Sequence, residues 1–339
     1  MTGVAILGSG FMARTHATAW RAHGDRAAVR VVASRRLEGA SAVAQECGAE
    51  AATDLAAAIA RDDVQVVDIC LPTLLHREWA EKAFAAGKDV LLEKPLALSV
   101  EDGEAILRAR DASGRKLLVG LALRFWPEYE VLHAKVREGG IGTPISMSTL
   151  RLSKAPDWNE WMSDPSASGG ATVDLLVHDF DQVAELMGTP RSVFAQAVRV
   201  GPKQAPQHVT AIVTCERGSA VVEGGLMQPS LYPFTSGIRV LGDAGALEYP
   251  FRAGAPVEGG NIGEVDHDSN ALMYYPADGD PVRLEAETGD GWERECGYFL
   301  DCLAANEAPT RATGEQALVA LRIALAANRS IESGRPESI

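Results

Sequence analysis

Residues 4–13 read Val-Ala-Ile-Leu-Gly-Ser-Gly-Phe-Met-Ala, an apolar run that passes through two glycines into a helical pattern. The spacing G-x-G-x-x-A is informative where it follows a strand and opens a helix, as it does here. Gly8 permits the tight turn, Gly10 lets the backbone approach a pyrophosphate, and Ala13 lets the helix pack closely on the strand. The N–H groups at the helix N-terminus then face the phosphates. The alternative is a strand–helix turn with incidental glycines. The preferred interpretation predicts a dinucleotide-binding turn made of Gly8, Ser9, Gly10, Phe11 and Met12.

Strand and helix patterns alternate over the first third of the chain. Short apolar runs predict strands at residues 4–7, 29–33, 66–71, 89–92 and 116–120. Helical patterns separate them at residues 11–23, 37–47, 77–86 and 100–112, the last with Ser99 as its expected N-cap. Strands that alternate with helices indicate βαβ units and a parallel sheet. We therefore predict an α/β Rossmann domain, which binds NAD(P), over residues 1–123.

The pattern changes from about residue 145, where strand-like runs follow one another with turns between them. These runs lie at residues 145–152, 193–200, 210–215, 219–226, 238–241 and 246–249. Successive strands without helices between them indicate an antiparallel or mixed sheet. Helical patterns lie at residues 171–187, 293–304 and 314–332, and residues 252–280 are expected to form a loop. We predict an α+β domain over residues 124–339, with a large, mostly antiparallel open sheet that serves substrate binding and oligomerisation.

Composition and charge exclude several classes of protein. The 339 residues are 46% hydrophobic and 23% charged, an ordinary globular composition, and the net charge is -14. Because such a chain repels phosphate backbones, no nucleic-acid partner and no membrane surface is expected, although a local basic patch could still bind a small phosphate. The five cysteines are scattered and form no C-x-x-C, which argues against a disulfide framework and a cysteine zinc site, so no metal is expected. We read no secretion signal at the N-terminus and no apolar run long enough to span a bilayer, so a cytoplasmic location is expected.

The end of the second predicted strand indicates which dinucleotide is bound. NAD enzymes usually place an acidic residue there to accept a hydrogen bond from the ribose 2′-hydroxyl. This chain has Ser34, Arg35 and Arg36 instead. Ser34 can donate to a phosphate oxygen, and either arginine can pair with a 2′-phosphate or stack on the adenine. The pattern favours NADP over NAD, although the arginines would also fit a solvated helix start.

Glu93, Lys94 and Pro95 end a predicted parallel strand. Ligands of open α/β sheets lie beyond the carboxyl ends of the strands, so a lysine there would lie where a nicotinamide binds. The sequence around Lys94 is equally compatible with a surface lysine before a turn.

Asp174 and His178 interrupt the apolar stretch that follows Gly169-Gly170. Four residues apart on one predicted helix, they would share a face. A carboxylate and an imidazole on a partly buried face need a partner, because burial without one is costly. Either they do chemistry together, or they form an internal pair that braces the core.

Together these motifs resemble the Gfo/Idh/MocA family, named after glucose–fructose oxidoreductase and inositol dehydrogenase. The resemblance covers nearly the whole chain and rests mainly on the E-K-P motif followed by D-x-x-x-H. The other matching features are the glycine turn, Leu71-Pro72-Thr73 with His76, Arg124-Phe125 with Pro127, Val222-Glu223-Gly224, and the helix at residues 317–335.

The resemblance implies hydride transfer between a carbinol carbon of a sugar, inositol or related polyol and C4 of a nicotinamide. Lys94 would hydrogen-bond the reacting hydroxyl, and His178, with an unperturbed pKa near 6.5, would be its general acid or base. Asp174 would orient His178 or bind a neighbouring hydroxyl. A cis peptide is expected at Glu93–Lys94 or Lys94–Pro95.

The resemblance also implies cofactor contacts from the loop of Leu71, Pro72, Thr73 and His76, and a contact from Glu93 to the nicotinamide ribose. Three further residues are expected to bind substrate: Arg124, Trp158 and Trp161. Either tryptophan could form the floor of a sugar site, or could serve ordinary packing.

Two other functions remain open at this point. The first is an enzyme of the same fold with a tightly bound cofactor, catalysing two-substrate oxidoreduction or redox-assisted elimination. The second is a non-catalytic dinucleotide sensor, which would be expected to lack Lys94 or His178. The apolar strand at residues 220–222 needs cover on both faces, so we also expect a homodimer or homotetramer.

Overall fold

The computed structural model describes residues 1–154, 164–200, 205–254 and 269–339. It divides into two compact units. The first contains residues 1–126 and 288–318, and the second contains residues 127–287 and 319–339. The first unit therefore takes in a helix that the predicted boundary at residue 123 had assigned to the second domain. That helix packs on the first helix of the chain, where His23 Nε2 lies 2.9 Å from the Glu293 carbonyl oxygen and Arg26 pairs with Asp301 at 2.5 Å.

The first unit is built on a six-stranded parallel sheet of strand order β3-β2-β1-β4-β5-β6, which confirms the predicted Rossmann architecture. Its strands are β1 Thr2–Leu7, β2 Ala27–Ala33, β3 Glu50–Ala52, β4 Val66–Ile69, β5 Asp89–Leu92 and β6 Leu117–Val119. The central strands are apolar runs buried along their whole length, as expected for a sheet covered on both faces. The strand order reverses between β1 and β4, and in such sheets this is where ligands bind.

The second unit is built on a nine-stranded sheet of order β14-β13-β12-β11-β7-β10-β9-β8-β15. Its strands are β7 Pro144–Leu152, β8 Pro190–Val200, β9 Ala205–Cys215, β10 Gly218–Gly225, β11 Thr235–Gly242, β12 Gly245–Arg252, β13 Leu272–Pro276, β14 Val282–Leu284 and β15 Glu337–Ser338. Among the described strands of this second sheet, only β7 and β10 pair in parallel, and the other neighbours are antiparallel. The predicted open, mostly antiparallel sheet is confirmed.

The helices are α1 Phe11–Ala22, α2 Leu37–Cys47, α3 Leu55–Ala60, α4 His76–Ala85, α5 Val100–Ser113, α6 Pro127–Arg137, α7 Pro165–Ser168, α8 Gly170–Asp174, α9 Val177–Met187, α10 Gly291–Ala305 and α11 Gly314–Ser333. Local signals set several of their ends. Ser99 caps α5 by accepting a hydrogen bond from the Asp102 N–H, as predicted, and Asp290 caps α10 in the same way. No helix among these described residues is long and apolar enough to cross a membrane.

Two predicted elements were wrong. The single helix over residues 171–187 is two helices, α8 and α9. The N–H of Leu176 donates to the carbonyl of Ala171, five residues back, so the regular i to i−4 ladder ends there and restarts at Val177. The loop predicted over residues 252–280 contains strand β13, which is held between β12 and β14. These pairings are long-range contacts that a local pattern does not report.

Candidate active site

The glycine turn joins β1 to α1 at the carboxyl edge of the parallel sheet. Gly8 has φ +126°, and a Cβ there would lie 2.3 Å from the Cys70 carbonyl oxygen, so only glycine fits. Gly10 is exposed, and a Cβ there would meet no described atom within 4 Å, which leaves space in front of the helix start. No acidic residue stands in the first turn of α1. This helix N-terminus is thus suited to an anion such as a pyrophosphate, with Ser9, Phe11 and Met12 around it.

The segment that follows β2 presents two exposed arginines at the same edge. Ser34 is buried, and its hydroxyl donates to the Arg36 carbonyl at 2.8 Å, which shapes the turn into α2. Its oxygen retains acceptor capacity, while the Arg35 and Arg36 side chains reach solvent. The turn therefore offers positive charge, and no carboxylate, among residues 34–36.

The loops after β4 and β5 are tied together by His76. Its buried ring places Nδ1 2.9 Å from the Pro95 carbonyl oxygen and Nε2 2.9 Å from the Leu71 carbonyl oxygen. Burial lowers the pKa of His76, with both carbonyls acting in the opposite direction. Thr73 is buried next to Pro72, in a 3-10 turn that leads into α4. His76 therefore braces the two loops from within, and its predicted contact with a cofactor stays a prediction.

Glu93 and Lys94 follow β5 directly. The Glu93 N–H donates to the Ile69 carbonyl at 3.1 Å, which continues the sheet for one more residue. The Glu93 side chain is buried, and its Oε2 accepts from the Lys94 backbone N–H at 3.0 Å. Lys94 is half-buried, and the Lys94–Pro95 peptide is cis, as expected. Both residues thus lie at the same sheet edge as the glycine turn.

A polar network in the interior of the first unit includes Glu93, and the sequence did not indicate it. The network consists of His16, Trp20, Asp68, Cys70 and Glu93. His16 and Trp20 lie on the buried face of α1 with Ala13 and Ala17. A histidine at helical spacing among apolar residues was the signal that could have indicated a buried partner for it.

The second unit holds Asp174 and His178. Asp174 is buried at the end of α8, and His178 is half-buried in the first turn of α9. The start of α9 is anchored by Asp179, whose Oδ2 lies 2.6 Å from Arg151 Nε in a buried ion pair. Burial alone lowers the pKa of Arg151, and Asp179 reverses this, so its pKa is raised and the guanidinium stays charged.

One of the three remaining predicted site residues is among the described residues. Arg124 is buried in a 3-10 turn of the first unit, where its carbonyl accepts a hydrogen bond from Arg311. Trp158 and Trp161 fall outside the described residues. The structure therefore gathers the proposed cofactor residues at one edge of the parallel sheet, while Asp174 and His178 belong to the other unit.

Comparison with known proteins identifies the family. Residues 2–121 match the model of the oxidoreductase family with an NAD-binding Rossmann fold, and residues 129–248 match the GFO/IDH/MocA C-terminal domain. The inositol 2-dehydrogenase of Rhizobium meliloti is 28% identical over 98% of this chain and 98% of its own length. The D-xylose 1-dehydrogenase (NADP(+)) 2 of Haloferax volcanii is 27% identical over 89% of each chain.

Among solved structures, levoglucosan dehydrogenase in complex with NADH superposes with a TM-score of 0.86 over 100% of this chain and 99% of that one. At 19% identity this is a likeness of fold. Both halves of the chain thus match one family, each by its own domain. The chain belongs to the GFO/IDH/MocA family of oxidoreductases.

Proposed function

We propose that this protein is an NADP(H)-preferring dehydrogenase that transfers a hydride between the nicotinamide and a carbinol carbon of a sugar, inositol or related polyol. The observation that carries the proposal is the arrangement at one sheet edge. The Glu93-Lys94-Pro95 turn ends β5, and the Gly8–Gly10 turn ends β1, in the same parallel sheet. The names of the two relatives, an inositol and a xylose dehydrogenase, support the substrate class.

The cofactor is proposed to be held by residues 1–123. The glycine turn and the N-terminus of α1 would bind the pyrophosphate, and Arg35 and Arg36 the 2′-phosphate. Leu71, Pro72, Thr73 and Glu93 would border the nicotinamide and its ribose. When bound, the nicotinamide supplies or accepts the hydride.

The protein's own residues would handle the hydroxyl proton. An alcohol loses hydride readily only as its proton is removed, because the product is a carbonyl. Neutral His178 would accept this proton, and cationic Lys94 would stabilise the negative charge that develops on the oxygen. Asp174 would orient the imidazole or bind an adjacent hydroxyl, and Arg124, Trp158 and Trp161 would contact the rest of the substrate. A cytoplasmic location, where thiols stay reduced, fits the five free cysteines.

Lys94→Ala and His178→Ala test this assignment. The wild-type protein is first assayed with NADP and NAD against a panel of inositols, aldoses and polyols. Each variant should then lose roughly 10²–10⁴-fold in kcat, the scale of a positioned acid or base. Cofactor affinity, measured by fluorescence titration, should change little, because neither side chain binds the pyrophosphate or the adenine.

The controls separate the alternatives. Near-wild-type rates in His178→Ala alone would assign the base to Lys94, and near-wild-type rates in both variants would refute the proposed chemistry. An absorbance band of reduced nicotinamide in the purified protein would indicate a tightly bound cofactor that does not exchange at each turnover.

A further inference from the structure

His16 lies between two carboxylates in the interior of the first unit. Its ring is fully buried, with Nδ1 2.9 Å from Asp68 Oδ2 and Nε2 3.0 Å from Glu93 Oε1. The Nε2 contact is an ion pair rather than a well-directed hydrogen bond. Asp68 also accepts from Trp20 Nε1 at 2.6 Å and from Cys70 Sγ at 3.4 Å. Asp68 is therefore immobilised, and it anchors one side of the imidazole.

The surroundings of His16 favour its charged form. Burial alone lowers the pKa of His16, but Asp68 and Cys70 together outweigh it, and the pKa lies well above the ordinary value. The other titratable groups that face the ring are Cys70, Glu93, and Glu295 and Cys296 of α10. Burial raises the pKa of Glu295 well above its ordinary value. The two ring nitrogens of His16 thus face the carboxylates of Asp68 and Glu93.

Glu93 connects this network to the turn that carries Lys94. One carboxylate oxygen, Oε1, faces His16, while the other, Oε2, accepts from the Lys94 backbone N–H at 3.0 Å. Gly120, which follows β6, leaves room for this carboxylate, because a Cβ there would approach Oε1 to 3.1 Å. The orientation of Glu93 therefore depends on His16, and the Lys94 peptide depends on Glu93.

We propose that His16 is a positioning residue for hydride transfer. Paired with Glu93, it holds the carboxylate against the Lys94 backbone N–H, and so sets the direction in which the Lys94 side chain leaves the turn. His16 acts through Glu93 and does not contact the substrate. This role rests on the proposed function, in which Lys94 binds the reacting hydroxyl.

Two amide variants separate this role from ordinary bracing of α1. His16→Gln retains a donor near the position of Nε2, facing Glu93, and His16→Asn retains one near Nδ1, facing Asp68. The proposal predicts that His16→Gln, which lacks the imidazolium charge but keeps a donor facing Glu93, retains more of kcat than His16→Asn. His16→Asn should lose about 10²-fold in kcat with the KM for cofactor little changed, the cost of a misplaced catalytic group. A purely structural role through Asp68 predicts the reverse order, and that order would overturn the proposal.

A double-mutant test covers the case in which His16→Asn folds poorly. Since His16 acts through Glu93, His16→Ala should lower kcat in the wild-type background but change it less than twofold in a Glu93→Gln background. If this substitution lowered kcat by the same factor in the wild-type and Glu93→Gln backgrounds, His16 and Glu93 would act independently. That result would contradict the proposal.

Crystal structures of the amide variants provide a readout that needs no substrate. The Glu93 carboxylate should keep its place in His16→Gln and rotate away in His16→Asn. An unmoved Glu93 and Lys94 turn in His16→Asn would overturn the positioning role, even if the wild-type protein oxidised no compound in the panel. Rotation of Glu93 together with an inactive wild type would instead count against the proposed function alone.

Discussion

Glu295 is a fully buried carboxyl on α10 whose two oxygens have no hydrogen-bond partner among the described residues. Burial raises its pKa well above the ordinary 4.5, and the folded state therefore keeps a proton that the unfolded chain releases. His16, with its pKa raised above 6.5 despite burial, acts in the same direction. The folded state binds more protons than the unfolded chain above these ordinary pKa values. The stability these two groups contribute is thus lost as the pH rises towards their folded-state pKa values.

Glu295→Gln should reduce this loss. The amide of the variant cannot titrate, so the folded state no longer binds the extra proton. The slope of unfolding free energy against pH should therefore become shallower by up to about 1.4 kcal/mol per pH unit. Urea unfolding at about pH 6 and about pH 9 gives the free energy of unfolding of the wild type and of Glu295→Gln. The exposed Glu293 on the same helix supplies the control, since Glu293→Gln should leave the slope as it is. Equal slopes in wild type and Glu295→Gln would refute the interpretation.

Arg35 is the residue at which the NADP preference can be tested. Its exposed guanidinium follows β2 where an acid would bind the ribose of NAD. A charge-assisted hydrogen bond contributes about 1.5–3 kcal/mol, so Arg35→Ala should weaken NADP binding roughly 10–150-fold. NAD binding should hardly change. Arg108→Ala, which removes an exposed arginine from α5, is the matched control for net charge. Equal losses for the two cofactors in titration would reject the preference.

At the scale of elements, the buried ion pair of Arg151 and Asp179 joins β7 to the first turn of α9. Their side chains are 6% and 3% exposed. Removing one partner leaves an uncompensated buried charge, so Asp179→Ala should cost about 3–5 kcal/mol of unfolding free energy. His178 precedes Asp179 directly, so activity should fall as well.

A second substitution shows whether the unpaired charge causes the loss. Replacing both residues, Arg151→Met with Asp179→Leu, should recover much of the stability, because no buried charge then remains. The exposed pair of Arg77 and Glu81 on α4 is the control, and its removal should cost no more than about 1 kcal/mol. The free energies of unfolding are measured by denaturant titration. A loss in Asp179→Ala no larger than the loss in the control would contradict this explanation.

At the scale of the whole molecule, one face of the second sheet exposes apolar side chains. Ile212 on β9 and Val221 on β10 are directly paired and are 46% and 43% exposed, while their strand neighbours Val213 and Val222 are fully buried. Helices α8 and α9 pack against the sheet. We expect a homodimer or homotetramer that covers the exposed face, since an apolar surface of this kind is typical of an interface.

Charge on this face should disrupt the assembly. Val221→Lys combined with Ile212→Lys should reduce the mass measured by light scattering, since lysines are costly to bury in an interface core. Leu74→Lys, which changes an exposed leucine of the first unit, is the control and should keep the wild-type mass. A monomeric wild type at micromolar concentration would refute the expected assembly.

The sequence by itself determined the parallel sheet, the glycine turn and the cap at Ser99. These features depend on neighbours within a few residues, such as the buried run of β1 that ends at Gly8. The ends of β1, β4 and β5 were predicted closely enough to place Gly8, Leu71 and Glu93 at one edge. Local periodicity suffices there because alternating strands and helices leave few topologies to choose from.

Tertiary structure alone decided which polar groups meet. His16 contacts Asp68, 52 residues away, and Glu93 because the strand order places β4 beside β1 and β5 beside β4. The pairing of β13 with β12 also depends on distant residues. A pattern along the chain reports that a side chain is buried. Its partner depends on which segments pack around it, since the cost of burying a polar group is relieved only by groups that the fold brings within hydrogen-bonding distance.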